Sequence, residues 1–238
     1  MQDLRFLVFL LEGLAAICGL YFYKKNPTIK TVGFFSYFLL LTFFVETIGW
    51  FPAIIYWNTP LHFLKDSFWY RNFWLFNPYL IISFLVYILY FKWNISSKKI
   101  RKLIDKALLL YVIICIANLI FSDVFLQSNS VVTYVLGSFF LLGVIFYYYY
   151  EILLSSKILN IKKEISFYIS FAALLYFLTT TPIFIYFKYF NDKSPEFVEL
   201  SSLIMIAMNI FMYGSYSVAF LSLANKKKPT SKNLKNAF

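Results

Sequence analysis

"VVTYVLGSFFLLGVIFYYYYEILL", residues 131–154, runs for 20 residues before its first charge, Glu151. An α-helix rises ~1.5 Å per residue, so a run of that length crosses the ~30 Å hydrocarbon core of a bilayer. Outward from it the chain repeats the theme. Apolar runs of comparable length occupy 4–23, 32–57, 73–93, 103–126, 165–190 and 197–224. The whole chain is 61% hydrophobic and 23% aromatic, with a mean hydropathy of +0.70, far more apolar than a soluble domain. Alternating segments of about 10 residues, the mark of a membrane barrel, are absent. The expected fold is therefore all-α, a polytopic membrane protein with a bundle of seven transmembrane helices. It forms one domain over 1–224, followed by a basic tail at 225–238. Prolines in the second and sixth runs predict a tilt or kink there.

The formal net charge is +11. Its distribution points to a membrane and away from nucleic acid. Seven spans divide the loops into two sets, one carrying 17 basic residues and the other 5. The richer set includes Lys92, Lys98, Lys99, Arg101, Lys102 and Lys106, and the poorer is Arg5, Lys65, Arg71, Lys188 and Lys193. The positive-inside bias then places the N-terminus outside and the C-terminus in the cytoplasm. Lysines on the inner side are also placed to contact anionic lipid heads. A bacterial cytoplasmic membrane is the expected location.

The first run lacks the basic cluster and A-x-A site of a signal peptide. Residues 14–18, "LAAIC", approach a lipoprotein cleavage site, but Ile17 is too large for the position before the cysteine. The segment reads as a retained span. Both cysteines, Cys18 and Cys115, fall within spans and read as buried thiols. Loops are short and leave no room for a soluble catalytic domain. Trp57, Trp69 and Trp74 fit an outer aromatic belt, and Trp93 an inner one. Seven spans also permit two parallel triple-helix halves joined by a fourth helix, as in some small sugar carriers. "FFSYF" before Pro52 and "FYISF" before Pro182 give that idea faint support.

Five spans carry polar groups at similar depth. Counted inward from the outer end at ~1.5 Å per residue, Glu12 lies ~12 Å deep, Glu46 ~16 Å, Asn118 ~12 Å, Thr180 ~15 Å and Asn209 ~18 Å. Asn77 is shallower. Helical spacing sets Glu12 in a stripe with Ala15, Ala16 and Gly19, and Glu46 in one with Thr42, Gly49 and Ala53. Asn118 aligns with Tyr111, Cys115 and Ser122, and Asn209 with Ser202, Tyr213 and Tyr216. Small neighbours let helices approach closely, so these faces point into the bundle. A carboxylate at such depth is costly against lipid and is expected to face a partner or a water-filled cavity. Two carboxylates in one low-dielectric site do not both ionise easily. The candidate ligand- or proton-binding set is Glu12, Glu46, Asn118, Thr180, Asn209 and Tyr213. The opposite reading is that each Glu is protonated and merely bonds a neighbouring helix, and Asn is common glue between helices. His62, in an outer loop, reads as interfacial. "SSKKIRKLIDK", residues 96–106, is a solvated entry to the fourth span, and its Lys98, Lys99, Arg101 and Lys102 offer an inner surface for a partner.

Several chemistries are excluded. The last span has no lysine, which rules out a retinal Schiff base in the usual place. A single histidine rules out bis-histidine haem and a three-histidine zinc site. No G-x-S-x-G and no phosphate-binding glycine loop occurs. No cofactor, metal or catalytic constellation is expected, and the chain does not read as an enzyme.

"LEGLAAICGLYFYKK" in the first span, "VETIGW" in the second and "NIFMYGSYSVAF" in the seventh resemble a group of bacterial seven-helix integral membrane proteins. That group has a Glu followed by Gly with a basic end, then E-x-x-G, then Asn followed by Tyr. The resemblance covers most of the chain and implies the same bundle, with interest at Glu12, Glu46, Asn209 and Tyr213. Members encoded beside signalling proteins imply a sensory role. The leading expectation is a receptor-like or sensory subunit that takes a small ligand or proton and signals to a separate partner. A small proton- or cation-coupled transporter or channel using Glu12 and Glu46 is the alternative, ranked second because the inner half shows few polar groups. An intramembrane lipid-modifying enzyme is third.

Overall fold

A computed structural model describes residues 2–52, 55, 60, 63, 70–190 and 194–224. The chain is all-helical among these, and seven helices are long and apolar enough to cross a membrane. They are α1 (Gln2–Lys25), α2 (Lys30–Gly49), α3 (Phe73–Asn94), α4 (Lys98–Phe121), α5 (Val131–Leu153), α6 (Ile165–Phe190) and α7 (Pro195–Ala224). A single turn, Val124–Gln127, follows α4, and a 3-10 stretch, Ser156–Lys163, follows α5.

Two expected spans end early. The second apolar run reaches residue 57, yet α2 stops at Gly49, where the Trp50 N–H bonds back to Glu46 and Thr47. Phe51 and Pro52 are helical again, so the run is interrupted at Trp50, and Pro52 has no N–H with which to carry the ladder across that point. The fourth run covers 103–126, but α4 spans Lys98–Phe121 and Ser122 turns extended. Sequence pattern alone merges the helix with the single turn beyond it. Trp57, Ala53, His62, Trp69, Lys65, Lys193 and the tail 225–238 lie outside the described residues.

Six helices close a ring in the order α1, α2, α3, α5, α6, α7 and back to α1. Helix α4 stands outside it, packed against α3 and α5. Close approach needs small residues at the seams. A Cβ on Gly137 of α5 would lie 2.4 Å from the Phe84 ring of α3, and one on Gly19 of α1 2.8 Å from Ser36 Oγ of α2. Outer faces are apolar: Leu10, Leu14 and Ile17 of α1, and Leu109, Ile113 and Ile120 of α4, are exposed. Ala15 and Ala16 on the opposite side of α1 are fully buried. Such an inside-out pattern suits a lipid solvent.

Polar side chains fasten the ends. Asn77 Nδ2 donates to the carbonyls of Val124 and Ser128, at 3.1 and 3.0 Å, and its Oδ1 accepts from the Ser130 N–H at 2.8 Å. One buried amide thus pins the α4–α5 connection to α3. Ser130 also caps α5, its hydroxyl accepting from the Thr133 N–H. At the other end of the bundle, Glu151 of α5 accepts from the backbone N–H groups of Ser96 and Ser97, at 2.5 and 3.0 Å. A carboxylate at a helix start satisfies orphan donors and the helix dipole.

Replacing Asn77 with Ala should lower stability by about 1–3 kcal/mol, since buried backbone groups lose their partner. Gly137→Leu should destabilise at least as much by forcing Phe84 aside, whereas the exposed Lys99→Ala should change little. Thermal unfolding of the purified protein orders the three, and equal midpoints would remove the role given to Asn77.

Candidate functional site

Glu12 lies midway along α1 on the buried stripe, with Ala15 and Ala16 behind it on the same face. Glu46 lies in the last turn of α2, four residues beyond the buried Thr42. Helices α1 and α2 are neighbours in the ring, and α7 flanks α1 on its other side. Their inward faces meet at a cavity of about 510 Å³.

Glu12, Glu46, Asn209 and Tyr213 all line it. Glu12 is only 5% exposed. Tyr213 and Glu46 both lie close enough to its carboxyl to act on it. Asn209 back-bonds through Nδ2 to the Met205 carbonyl at 2.9 Å and lies close to Tyr176. Arg5, Trp50, Asn72 and Ser202 form the end nearest the helix termini. Arg5 and Trp50 are exposed, so this end is the mouth. It carries the N-termini of α1, α3 and α7 and the C-terminus of α2.

Eleven of the 24 described lining residues are aromatic, so rings make up much of the wall. Phe38 stacks on Tyr79 at 6.4 Å and meets Tyr87 edge-on at 5.6 Å. Phe177 meets Tyr87 and Tyr176 edge-on at 5.8 and 5.0 Å. Edge-to-face contacts fix ring positions beyond what area burial does. The tyrosine tips are tied as well. Tyr79 donates to Thr42 Oγ1 at 2.7 Å, Tyr87 pairs with Tyr216 at 3.0 Å, and Tyr134 pairs with Thr180 at 2.6 Å.

Beneath Phe38 and Tyr87 the ring is closed. Phe35, Tyr90, Tyr216 and Phe220 are fully buried there, and Phe35 touches Tyr87, Tyr90 and Tyr216. Hydroxyls continue through this layer: Tyr90 pairs with Ser166 at 2.8 Å, and Ser166 donates to Asn94 Oδ1 at 3.2 Å. The inner half, expected to show few polar groups, therefore holds a chain of tyrosine, serine and asparagine contacts.

Two sequence candidates stand apart from the cavity. Asn118 accepts from Ser130 Oγ at 2.8 Å, joining α4 to the start of α5. It sits on the one long helix outside the ring, which is why equal depth does not bring it to the others. Thr180 is fully buried behind Tyr134 and back-bonds to the Tyr176 carbonyl. It positions a wall residue and does not line the space. At the opposite end, Lys98, Lys99 and Lys102 are exposed. Arg101 is committed to the chain itself, donating to the carbonyls of Ile95 and Trp93. Lys92 pairs with Asp105 at 2.5 Å. Arg101 thus also acts as a structural clasp.

Tyr79, Tyr87, Tyr134 and Tyr176 are not singled out by the sequence. With 20 tyrosines in the chain, helical spacing gives no reason to prefer these four. Comparison with protein-family models, curated proteins and solved structures finds no match to this chain, so the cavity is interpreted from its own geometry.

Ser202, at the mouth, gives a direct test of water access. A Ser202→Cys protein should react with a water-soluble maleimide, while the buried Cys18 and Cys115 of the parent should not. An introduced thiol as inert as those two would mean the mouth is sealed.

Proposed function

We propose that this chain is a receptor-like, sensory subunit of a bacterial cytoplasmic membrane. Its cavity takes a small ligand or proton from the non-cytoplasmic side, and altered helix packing carries the signal to a separate cytoplasmic partner. The carrying observation is a blind cavity. Two acids, two amides and tied tyrosines surround a space that opens at one end, and fully buried aromatic residues close the other. A closed floor suits binding and sensing better than passage. Helix α7 contributes Asn209 and Tyr213 to the cavity and continues to Ala224 at the far end of the bundle. Binding that shifts Tyr213 changes the seam with α1, which is a differential contact between two packings. The basic excess at the far end, with Lys98, Lys99 and Lys102 exposed, supports a cytoplasmic assignment and a docking face there.

A second reading is a small coupled transporter, and one observation favours it. The ring divides into α1–α3 and α5–α7, with α4 outside as the link. Parallel triple-helix halves of this kind bind solute at their interface in some carriers. Glu46 precedes Pro52 and Tyr176 precedes Pro182 by six residues each, and both line the cavity. Passage would require Tyr87, Tyr216 and Phe35 to part.

Purification from the native membrane in mild detergent should retain a stoichiometric signalling partner, and Glu46→Gln should abolish its ligand response. Sealed proteoliposomes should show no flux. Flux that Glu12→Gln removes would replace the sensor with the transporter. In intact cells Lys102→Cys should label with an impermeant maleimide only after permeabilisation. Labelling before that step would invert the orientation.

A further inference from the structure

We propose that the cavity recognises a small organic cation, an ammonium group on an apolar body. This rests on the reading of the cavity as a ligand site and names the chemistry of its ligand. Among the described lining residues the only charged groups are Glu12, Glu46 and Arg5. Both acids sit on inward faces, Glu12 almost fully buried, whereas Arg5 is exposed at the mouth. Arg5 is seven residues from Glu12 along α1, which is ~10 Å of helix rise, so its charge lies at the mouth and not beside the acids. A cation seated between two carboxylates relieves their mutual repulsion, and an anion would add to it.

The walls select further. Aromatic rings attract cations through their quadrupole, and most strongly when water is excluded. The hydroxyls of Tyr79, Tyr87 and Tyr134 are already bonded to Thr42, Tyr216 and Thr180. Each hydroxyl is held in the wall by that bond, with acceptor capacity remaining, and the rings add apolar surface. A bare metal ion needs a close shell of oxygen ligands, and no cluster of three or more metal-ligating side chains occurs among the described residues. A cavity of about 510 Å³ lies within the range that encloses small organic ligands. Acids for the charge and rings for the body together fit an alkyl- or arylammonium.

The test uses the purified full chain in lipid nanodiscs and three probes of one shape: phenethylammonium, neutral phenethyl alcohol and anionic hydrocinnamate. Choline extends the cation set. Binding is read by the thermal midpoint and by protection of the Ser202→Cys protein from maleimide. The ammonium salts should raise the midpoint saturably and slow labelling, and the alcohol and the anion should do neither. Glu12→Gln should weaken ammonium binding about tenfold, and Leu109→Ala, on the outer face of α4 and far from the cavity, should leave it unchanged. If the Ser202→Cys protein labels but the alcohol or the anion binds as well as the cation, the ligand class is wrong and the cavity stands. Labelling with no binding by any probe also overturns the ligand class. If the Ser202→Cys protein does not label at all, the cavity reading itself fails, and this inference with it.

Discussion

A carboxylate on a helix sheathed in leucine has only one tolerable direction to face, and the ring of six helices is arranged around that demand. Glu12 turns inward with Ala15 and Ala16, while Leu10, Leu14 and Ile17 turn outward on the same helix. Small residues at Gly19 and Gly137 bring the helices near enough to close the circle. The acids are then surrounded by side chains that bond or stack. Every other feature of the site follows from that closure: the aromatic walls, the blind floor and the position of Tyr213 against Glu12.

Tyrosine does two jobs in this architecture. Its ring is large enough to pack a membrane core, and its hydroxyl can be satisfied by another buried side chain. Tyr87, Tyr90 and Tyr216 show both, each buried and each bonded to a hydroxyl on a helix across the ring. Interhelical hydrogen bonds inside a membrane are individually modest, about 0.6 kcal/mol on average. Their larger effect here is geometric. A ring held at its edge and at its tip keeps one orientation, so the cavity has fixed walls.

The seven helices are legible in the sequence because run length needs no knowledge of neighbours. Their ends are less so. Pattern cannot separate α4 from the single turn after Ser122, nor see that Trp50 caps α2. Within the site, Glu12, Glu46, Asn209 and Tyr213 are legible because a polar residue on a small-residue stripe must face inward. Depth cannot say which inward faces share one space. Asn118 matches the others in depth, but α4 lies outside the ring. Thr180 matches too, yet Tyr134 stands between it and the cavity. Asn77 looks unimportant in the sequence because its role lies in three backbone groups far along the chain, which no local spacing records. The wall tyrosines are hidden by abundance, and nothing short of the packed structure separates them from the remaining sixteen of the chain's 20 tyrosines.

The seam between α1 and α7 joins the first long helix to the last. Chains are synthesised from the N-terminus, so α1 is made well before the helix that covers its inner face. During that interval Glu12 has α2 and Glu46 for company but lacks Tyr213. The ring cannot shut until α7 arrives, and no earlier intermediate has the native environment of the acid. Biogenesis must therefore shelter a half-built circle, through protonation of the acids, through the insertion machinery, or through temporary contacts with helices already in place. The same geometry makes α7 the closing stave. Whatever loosens it reopens the whole barrel of helices along a single line.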